Sequence, residues 1–260
     1  MHLFTWNINK SPTMAGRAFR YLEWLAASDT MIATLQEVPG EVPDLQGSRL
    51  EVVRSGDHAV ILYSRDLALV DYGPDASGRA TIARFRVPSS AEITAVGLHW
   101  HSRDSHSEVV DDYERGGAMA LFRHHLEGRL QTPAVIMGDF NASPEPNGGE
   151  MCSKYCLFAR TKRQRLTPGM EKVMGQDKRA WVLVEPAKPA DAGTYFWKHT
   201  QGWSDLDHIV LTPDLASRLV RAEVLTTMEG HAFLSKGKQV PRGAMNASDH
   251  LPVICQIHYQ

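Results

Sequence analysis

The sequence predicts an α+β fold in which two mixed β-sheets stack face to face and helices pack outside them. Short β-type runs separated by turn residues recur along most of the chain, whereas helical periodicity is confined to two stretches. Polar side chains at the ends of these runs are spread from residue 7 to residue 250, so dividing the chain would separate them. We therefore expect one domain over residues 1–260.

The opening of the chain predicts a strand, a helix and a second strand. Ser11 and Pro12 are the residue types that cap a helix and occupy its first turn, and apolar residues follow them at helical spacing. Strand-like runs lie on either side of this helix, at Leu3–Trp6 and Met31–Leu35. The helix thus returns the chain to begin a neighbouring strand.

The remaining strands are predicted from β-type runs with turn signals between them. In the first half of the chain these runs are Leu50–Arg54, Ala59–Tyr63, Leu67–Tyr72, Ala80–Val87, Ile93–Leu98 and Ala134–Met137. In the second half they are Trp181–Val184, Thr194–Trp197, Leu206–Leu211, Val220–Thr226 and Val253–His258. A second helix is predicted over Glu108–Leu130, and residues 143–179 have the pattern of loops with a short helix.

Composition favours a cytoplasmic globular protein. No apolar window approaches the ~20 residues that a membrane helix needs, and the N-terminus enters a strand-like run without a signal-peptide pattern. Cys152, Cys156 and Cys255 are too few for a disulfide framework. Cys152 and Cys156 lack a second pair at zinc spacing, so packed thiols are the simpler interpretation.

The charge is distributed unevenly. Residues 154–179 carry eight basic against two acidic side chains, within a chain whose net charge is −2. Lys236, Lys238 and Arg242 form a second basic loop. Such asymmetry is typical of a protein that binds a polyanion, although a solvated loop gives the same pattern.

Polar side chains stand at the ends of the predicted strands. Some follow a strand (Asn7, Glu37, His99, Asp139 and Asn141) and others precede one (Asp207, Asp249 and His250). In a mixed sheet the end of one strand and the start of its antiparallel neighbour lie at the same edge, so these side chains can meet there. Each has an ordinary explanation as a turn or loop residue, but their joint occurrence indicates a site for a divalent cation or a phosphate.

The motifs that contain these residues resemble those of the endonuclease/exonuclease/phosphatase superfamily, which includes deoxyribonuclease I and exonuclease III-type apurinic endonucleases. The matching blocks, in family order, are Thr5–Asn9, Leu35–Val38, Gly97–His99, Gly138–Asn141, Ser204–Ile209 and Ser248–Val253. The resemblance implies a deoxyribonuclease I-like four-layer α/β sandwich. It also implies metal-assisted hydrolysis of a phosphate ester.

The resemblance assigns Asn7, Glu37 and Asp249 to the metal. Mg²⁺ prefers hard oxygen ligands and is commonly held by one or two carboxylates together with substrate phosphate, which suits these residue types. We expect Mg²⁺ or Mn²⁺, with Glu37 as the direct ligand. Such a cation would neutralise charge on the phosphoryl oxygens and the leaving group.

The resemblance assigns the reacting water and phosphate to a second set of residues. Asp139 would orient or deprotonate the attacking water, and Asn141 would donate its amide to the phosphate. His250 would contact the same phosphate, with its ring held by Asp207 as a carboxylate holds a catalytic imidazole. Either Asp139 or His250 could be the general base.

His99 and Arg79 match residues that some relatives place near the phosphate and the leaving oxygen. A hydrogen-donating or positive group at that position would stabilise the departing oxygen. His101 lies two residues after His99, so a zinc site is conceivable, but two imidazoles without a third ligand make a poor one.

The substrate has to be inferred from the loops. Basic loops with aromatic residues nearby, namely Trp100, Tyr195, Phe196, Trp197 and Trp203, favour a nucleic acid, DNA or RNA, as partner. A phosphatase or phosphodiesterase acting on a small-molecule or lipid phosphate is the alternative, and no amphipathic membrane anchor supports the lipid version. A non-catalytic binding module is a third hypothesis, although Glu37, Asp139 and His250 are all present. The sequence leaves the oligomeric state open.

Overall fold

The computed structural model describes residues 1–40, 45–89, 91–102, 122, 126, 133–142, 158–159, 181–235 and 248–259. Several predicted features lie outside these residues: most of the second helix, the basic side chains of the 154–179 segment, Lys236, Lys238, Arg242, Cys152 and Cys156.

The first sheet has six strands, and it contains both the first and the last strand of the chain. Its members are β1 (His2–Asn7), β2 (Met31–Gln36), β3 (Leu50–Arg54), β4 (Ala59–Ser64), β14 (Leu219–Val224) and β17 (Val253–Ile257). Their order is β14–β17–β1–β2–β4–β3. Strand β1 is parallel to β2 and antiparallel to β17, so the two ends of the chain lie side by side in the middle of the sheet.

The second sheet has seven strands and is also mixed. Its members are β5 (Ala68–Pro74), β6 (Ala80–Arg86), β7 (Glu92–His99), β8 (Ala134–Asp139), β9 (Phe158–Ala159), β10 (Trp181–Leu183) and β13 (Asp207–Leu211). Their order is β5–β6–β7–β8–β13–β10–β9. Strand β8 is parallel to β7 and antiparallel to β13, so the ends of β7 and β8 and the start of β13 share one edge.

Two helices and two small hairpins complete the described elements. Helix α1 (Pro12–Ser28) begins after Ser11, whose side chain accepts the backbone N–H of Met14, as the sequence predicts. Helix α2 (Pro213–Ala216) is a single turn after β13. The hairpins are β11 (Tyr195–Trp197) with β12 (Gly202–Ser204), and β15 (Thr227–Met228) with β16 (His231–Ala232). In the described part of the chain no helix has the length and apolar character that crossing a bilayer requires.

The two sheets pack face to face because their inner residues alternate along each strand. In β8, Val135 and Met137 join the core between the sheets, whereas Ile136 belongs to a second core on the outer face. The two sheets approach each other closely at Gly97 of β7, where an added Cβ would lie 3.0 Å from the side chain of Thr34 in β2. The predicted fold class of two stacked mixed sheets is therefore confirmed.

Candidate active site

The strand register brings the predicted polar side chains to one edge of the two sheets. In the second sheet, the Cα of Asp139 is paired with His99 on one side and with Asp207 on the other. In the first sheet, Asn7 is paired with Gln36 at the end of two parallel strands, immediately before Glu37. The end of β1 and β2 and the end of β7 and β8 therefore contribute side chains to the same place.

Asp139 lies at the centre of this group and is fully buried. Its Oδ1 accepts the backbone N–H of Asn141 at 2.8 Å, and its Oδ2 accepts Nδ2 of Asn7 at 3.0 Å. Burial raises the pKa of the Asp139 carboxyl, and the imidazole of His250 opposes this rise. A buried carboxylate with a raised pKa next to an imidazole is a typical environment for a proton-transfer group.

His250 is held by Asp207. The Nδ1 atom lies 2.8 Å from Oδ2 of Asp207, and Nε2 points towards Oδ2 of Asp139 at 3.8 Å. Burial alone would lower the pKa of His250, but the charges of Asp207 and Asp139 outweigh it and raise that pKa to about 9. The ring is therefore an imidazolium near neutral pH, with its Nε2 proton directed into the site.

Glu37 stands on the other side of Asn7. Its Oε1 accepts Nδ2 of Asn7 at 3.2 Å and lies 3.7 Å from Nε2 of His99. The same His99 nitrogen is 3.9 Å from Oδ2 of Asp139, and burial lowers the pKa of His99. Glu37 adopts φ +52, a left-handed conformation that is uncommon for this residue type and that recurs at functional sites.

Asp249 occupies the rim of the site. Its Oδ1 accepts Nδ2 of Asn9 at 3.1 Å, and its Oδ2 lies 3.6 Å from Nζ of Lys198. Among the described residues no hydrogen bond or ion pair joins Asp249 to Glu37. The predicted metal ligands therefore lie in two places: Glu37 and Asn7 inside the site, and Asp249 at its rim.

Arg79 is joined to this cluster through its backbone, at His99. Its backbone oxygen accepts the N–H of His99 at 3.1 Å, which fixes the start of β6 beside the end of β7. Its side chain is half-buried. Burial is the main cause of the lowered pKa of His58, and the positive charge of Arg79 lowers that pKa further. The ring of His58 in turn meets the ring of His99 edge-on, with centroids 6.0 Å apart.

The side chains fit a divalent cation that prefers oxygen ligands. Buried carboxylates and an amide converge, and Oδ1 of the buried Asp207 has no hydrogen-bond partner within the described structure. The ligand atoms of Asp139, Asp207 and His250 also lie within 4.8 Å of one another, but Nδ1 of His250 is already held by Asp207, so this group is separate from the Glu37–Asn7 pair. Asn7 donates Nδ2 to both neighbouring carboxylates, and its Oδ1, which accepts the N–H of Asn9 at 2.9 Å, has a second lone pair that a cation could use.

A zinc site at His99 and His101 is not found. No group of three potential ligands within 4.8 Å that includes these histidines exists among the residues the structure describes. The His101 ring instead meets the buried Trp100 edge-on, with centroids 5.9 Å apart.

Two of the aromatic residues expected near the cleft belong to the core. Trp100 is 1% exposed and contacts Phe122, so it cannot stack on a ligand. Phe196 is also buried and packs against Trp203 with ring centroids 5.1 Å apart. For these two residues core packing, the alternative that the sequence favours for any single aromatic side chain, is what the structure shows.

Several contributors were not singled out from the sequence. Asn9 and Lys198 hold Asp249, and His58 contacts His99. Ser248 connects the two ends of the chain: its Oγ donates to the Asn7 backbone oxygen at 2.6 Å and accepts the N–H of residue 250 at 3.0 Å. Ser248 is the first residue of the Ser248–Val253 block, so the family resemblance could have identified it from the sequence. Asn9 closes another of these blocks, whereas Lys198 and His58 are only polar residues in turn regions.

Comparisons with known proteins identify the family and the fold of the chain. A model of the Endonuclease/Exonuclease/phosphatase family matches residues 4–250 of the chain. A search of curated proteins found no match. Among solved structures, an AP endonuclease from Archaeoglobus fulgidus is 15% identical, with a TM-score of 0.62 and 100% of both chains covered.

Two further structures share the fold. A 3′ phosphatase, NExo, from Neisseria, solved with a product DNA hairpin, is 18% identical over 100% of both chains, with a TM-score of 0.57. An endonuclease/exonuclease/phosphatase family protein from Bacteroides thetaiotaomicron is 14% identical over 98% of this chain and 96% of its own, with a TM-score of 0.60. At this identity the structures show the fold, and the family model adds the assignment: the chain belongs to the endonuclease/exonuclease/phosphatase family.

Proposed function

We propose that the chain is a phosphodiesterase that depends on Mg²⁺ or Mn²⁺ and hydrolyses a nucleic-acid phosphodiester by in-line attack of water. The observation that carries this proposal is the position of Asp139. It is buried between a protonated imidazole, His250, and the Glu37–Asn7 pair, with contacts of 3.0–3.8 Å. A proton acceptor (Asp139), a proton donor (His250) and a pair of candidate metal ligands (Glu37 with Asn7) therefore lie side by side.

Asp139 is the group that orients the water and accepts its proton. Its raised pKa brings the carboxyl closer to the range in which a general base is effective. Asn7 and the backbone of Asn141 fix the orientation of the carboxylate through hydrogen bonds of 3.0 and 2.8 Å. His250 is a less suitable base, because Asp207 and Asp139 keep its ring protonated near neutral pH.

His250 and Asn141 hold the phosphate. The imidazolium presents Nε2–H as a charged donor to a phosphoryl oxygen, while Nδ1–H is held by Asp207 at 2.8 Å. The side chain of Asn141 donates an N–H to the backbone oxygen of Trp100 at 2.9 Å, which fixes the position of its amide next to Asp139. These donors stabilise negative charge on the phosphoryl oxygens as the bond to the leaving group breaks.

Glu37, Asn7 and Asp249 are the residues that would hold the divalent cation. Once bound, the cation would supply Lewis-acid stabilisation of charge on the phosphoryl group and the leaving oxygen. His99 lies next to Glu37 and Asp139, which supports a role as hydrogen-bond donor to the leaving oxygen, with Arg79 as a source of positive charge.

The proposal of a nucleic-acid substrate depends on the loops and on the relatives. Residues 154–179 carry eight basic side chains against two acidic ones, which suits a polyanion. The Archaeoglobus and Neisseria structures are named as an AP endonuclease and a 3′ phosphatase bound to DNA, so both process DNA. We also propose that residues 1–260 form one domain and that the protein works in the cytoplasm.

A metal-supplemented activity panel tests this function. Single- and double-stranded DNA, abasic DNA, RNA and inositol phosphates would each be incubated with the protein and Mg²⁺ or Mn²⁺, with and without excess EDTA. We expect metal-dependent cleavage of a nucleic acid. Hydrolysis of inositol phosphates alone would instead favour the small-molecule phosphatase, and undiminished turnover in EDTA would contradict the metal requirement.

Asp139→Asn is the matching variant for this panel. It keeps the size of the side chain but removes the proton acceptor, so we expect a loss of roughly 100-fold or more in kcat. Asp214→Asn is the control, because Asp214 is exposed on α2 and far from the site in the fold. Equal activities of the two variants would contradict the role of Asp139.

A further inference from the structure

The hairpin β11–β12 is hydrogen-bonded directly to the segment that carries His250. The N–H of Phe196 donates to the backbone oxygen of Asp249 at 2.9 Å, and the N–H of Leu251 donates to the oxygen of Thr194 at 2.7 Å. Gly193 lies just before the hairpin, where a Cβ would come within 2.4 Å of the Ser204 backbone oxygen. A group bound by this hairpin is therefore held at a fixed position relative to the candidate active site.

The two faces of β11 have different surroundings. Tyr195 and Trp197 share one face because side chains alternate along a strand, and Phe196 points into the core on the other. The Tyr195 ring packs on the His250 ring with centroids 4.6 Å apart, and Trp197 meets Tyr195 edge-on at 4.9 Å. The three rings form a row that leads outward from the imidazole.

Trp197 ends this row at the surface. It is 42% exposed, and its cross-strand neighbour is Gly202, which has no side chain to cover it. A single exposed tryptophan has no functional meaning by itself, and Trp24 on α1 is 63% exposed. What distinguishes Trp197 is its contact with a residue that packs on the candidate catalytic histidine.

Lys198 adds a positive charge at the next position of the chain after Trp197. Its side chain is 46% exposed, and its Nζ lies 3.6 Å from Oδ2 of Asp249. An ammonium at this distance from a rim carboxylate is loosely paired, so a phosphate group can compete for it. An aromatic face and an ammonium at adjacent positions match the two parts of a nucleotide, its base and its phosphate.

We propose that Trp197 and Lys198 form a subsite for an unpaired nucleotide next to the scissile phosphate, with its base stacked on the Trp197 indole and its phosphate at Lys198. This inference rests on the proposed function and narrows its substrate class. A base inside a duplex has neighbours on both faces, so stacking on a protein side chain requires a single strand, a frayed end or an extruded nucleotide. The enzyme therefore prefers single-stranded or end-like nucleic acid over a continuous duplex.

The test compares KM values for two substrates. One is a single-stranded oligonucleotide and the other is bis(p-nitrophenyl) phosphate, which has no base to stack and reports on the chemistry alone. We expect Trp197→Ala to raise the ratio of the oligonucleotide KM to the small-substrate KM by about 5- to 150-fold, the range for loss of one base–aromatic stack. Trp24→Ala is the matched control and should leave the ratio as in the wild type.

Three further measurements, on two other variants, keep the inference testable if the alanine variant folds poorly. Trp197→Phe retains an aromatic face and should show a smaller rise in the KM ratio. In chelator-treated protein, where turnover is prevented, an oligonucleotide should quench tryptophan emission less in Trp197→Phe than in the wild type. Lys198→Gln should reduce the slope of log affinity against log salt by about 0.7 for a single strand.

The outcomes separate this inference from the proposed function. If the wild type cleaves oligonucleotides but Trp197→Ala has an unchanged KM ratio, the subsite is refuted and the proposed function stands. A wild type that binds and cleaves a continuous duplex at least as well as a single strand also refutes the subsite. If the wild type hydrolyses neither substrate with any metal, the proposed function fails and the subsite fails with it.

Discussion

Replacement of Asp207 by asparagine tests the electrostatic coupling at the centre of the site. Asp207 is fully buried, and its Oδ2 lies 2.8 Å from Nδ1 of His250. Burial is the largest single influence on His250 and lowers its pKa, but Asp207 and Asp139 raise that pKa to about 9. Asparagine keeps the shape but removes one charge, so we expect the pKa of His250 to fall to about its ordinary value of 6.5 or below.

The contribution of this pKa shift to the free energy of unfolding follows from the linkage between proton binding and folding. A rise from 6.5 to about 9 corresponds to about 3 kcal/mol in favour of the imidazolium in the folded protein. Because the folded pKa lies above the unfolded one, the folded state binds the extra proton between these values. This stabilisation is complete below about pH 6.5 and is lost as the pH rises through about 9. The wild type should therefore lose stability as the pH rises through this window, whereas Asp207→Asn should not.

The assay is an NMR titration of the His250 ring in chelator-treated protein, so that no cation contributes to the pKa. Denaturant unfolding at several pH values gives the stability curve, and His250→Gln identifies the resonance. Asp205→Asn is the matched control, because Asp205 lies two residues away and pairs with Lys188 instead. The reasoning would be refuted if His250 of the wild type titrated near its ordinary value, or if Asp207→Asn left its pKa unchanged.

Three other predictions concern stability and reactivity. Gly138→Ala should lower the free energy of unfolding by more than about 3 kcal/mol in chemical denaturation, because a Cβ there would lie 1.8 Å from a backbone oxygen of β7; a loss under about 1 kcal/mol would contradict the close approach. Ser11→Ala should cost about 1 kcal/mol by the same measurement, since the Ser11 hydroxyl accepts a backbone N–H of the first turn of α1; an unchanged midpoint would refute the cap. The Cys255 thiol is buried, and burial raises its pKa to about 12. With Cys152 and Cys156 replaced by serine, a thiol reagent at about pH 8 should label the native protein only as fast as it unfolds, and rapid labelling would disprove the burial.

Local signals were sufficient to predict most of the described elements. The α1 start at Pro12 was predicted because the cap is formed by adjacent residues, and the structure contains that bond. The runs at 50–54, 59–63 and 93–98 correspond to β3, β4 and β7 within one or two residues, since each has turn residues at its ends. The short strands of the β15–β16 hairpin and the single turn of α2 were not predicted, because two to four residues give no measurable period.

The convergence of these polar residues at one edge could be predicted from the sequence, whereas their individual contacts could not. Asn7, Glu37 and Asp139 could be selected because carboxylates and amides at strand ends have a chemical meaning. The direction of Trp100 could not be known, because it depends on which face of β7 and its extension meets the core. Lys198 was missed because its role depends on a hairpin hydrogen-bonded to residue 249, a pairing between residues about fifty positions apart.

The pairing of β1 with β17 sets a condition on when the site can form. The amide of Asn7 comes from β1, whereas Ser248 and His250 immediately precede β17, which follows it by more than two hundred residues. The middle of the first sheet is therefore completed only after residue 257 has left the ribosome. A nascent chain that has not yet reached residue 250 lacks the imidazole beside Asp139, so the candidate site is incomplete until that stage of translation.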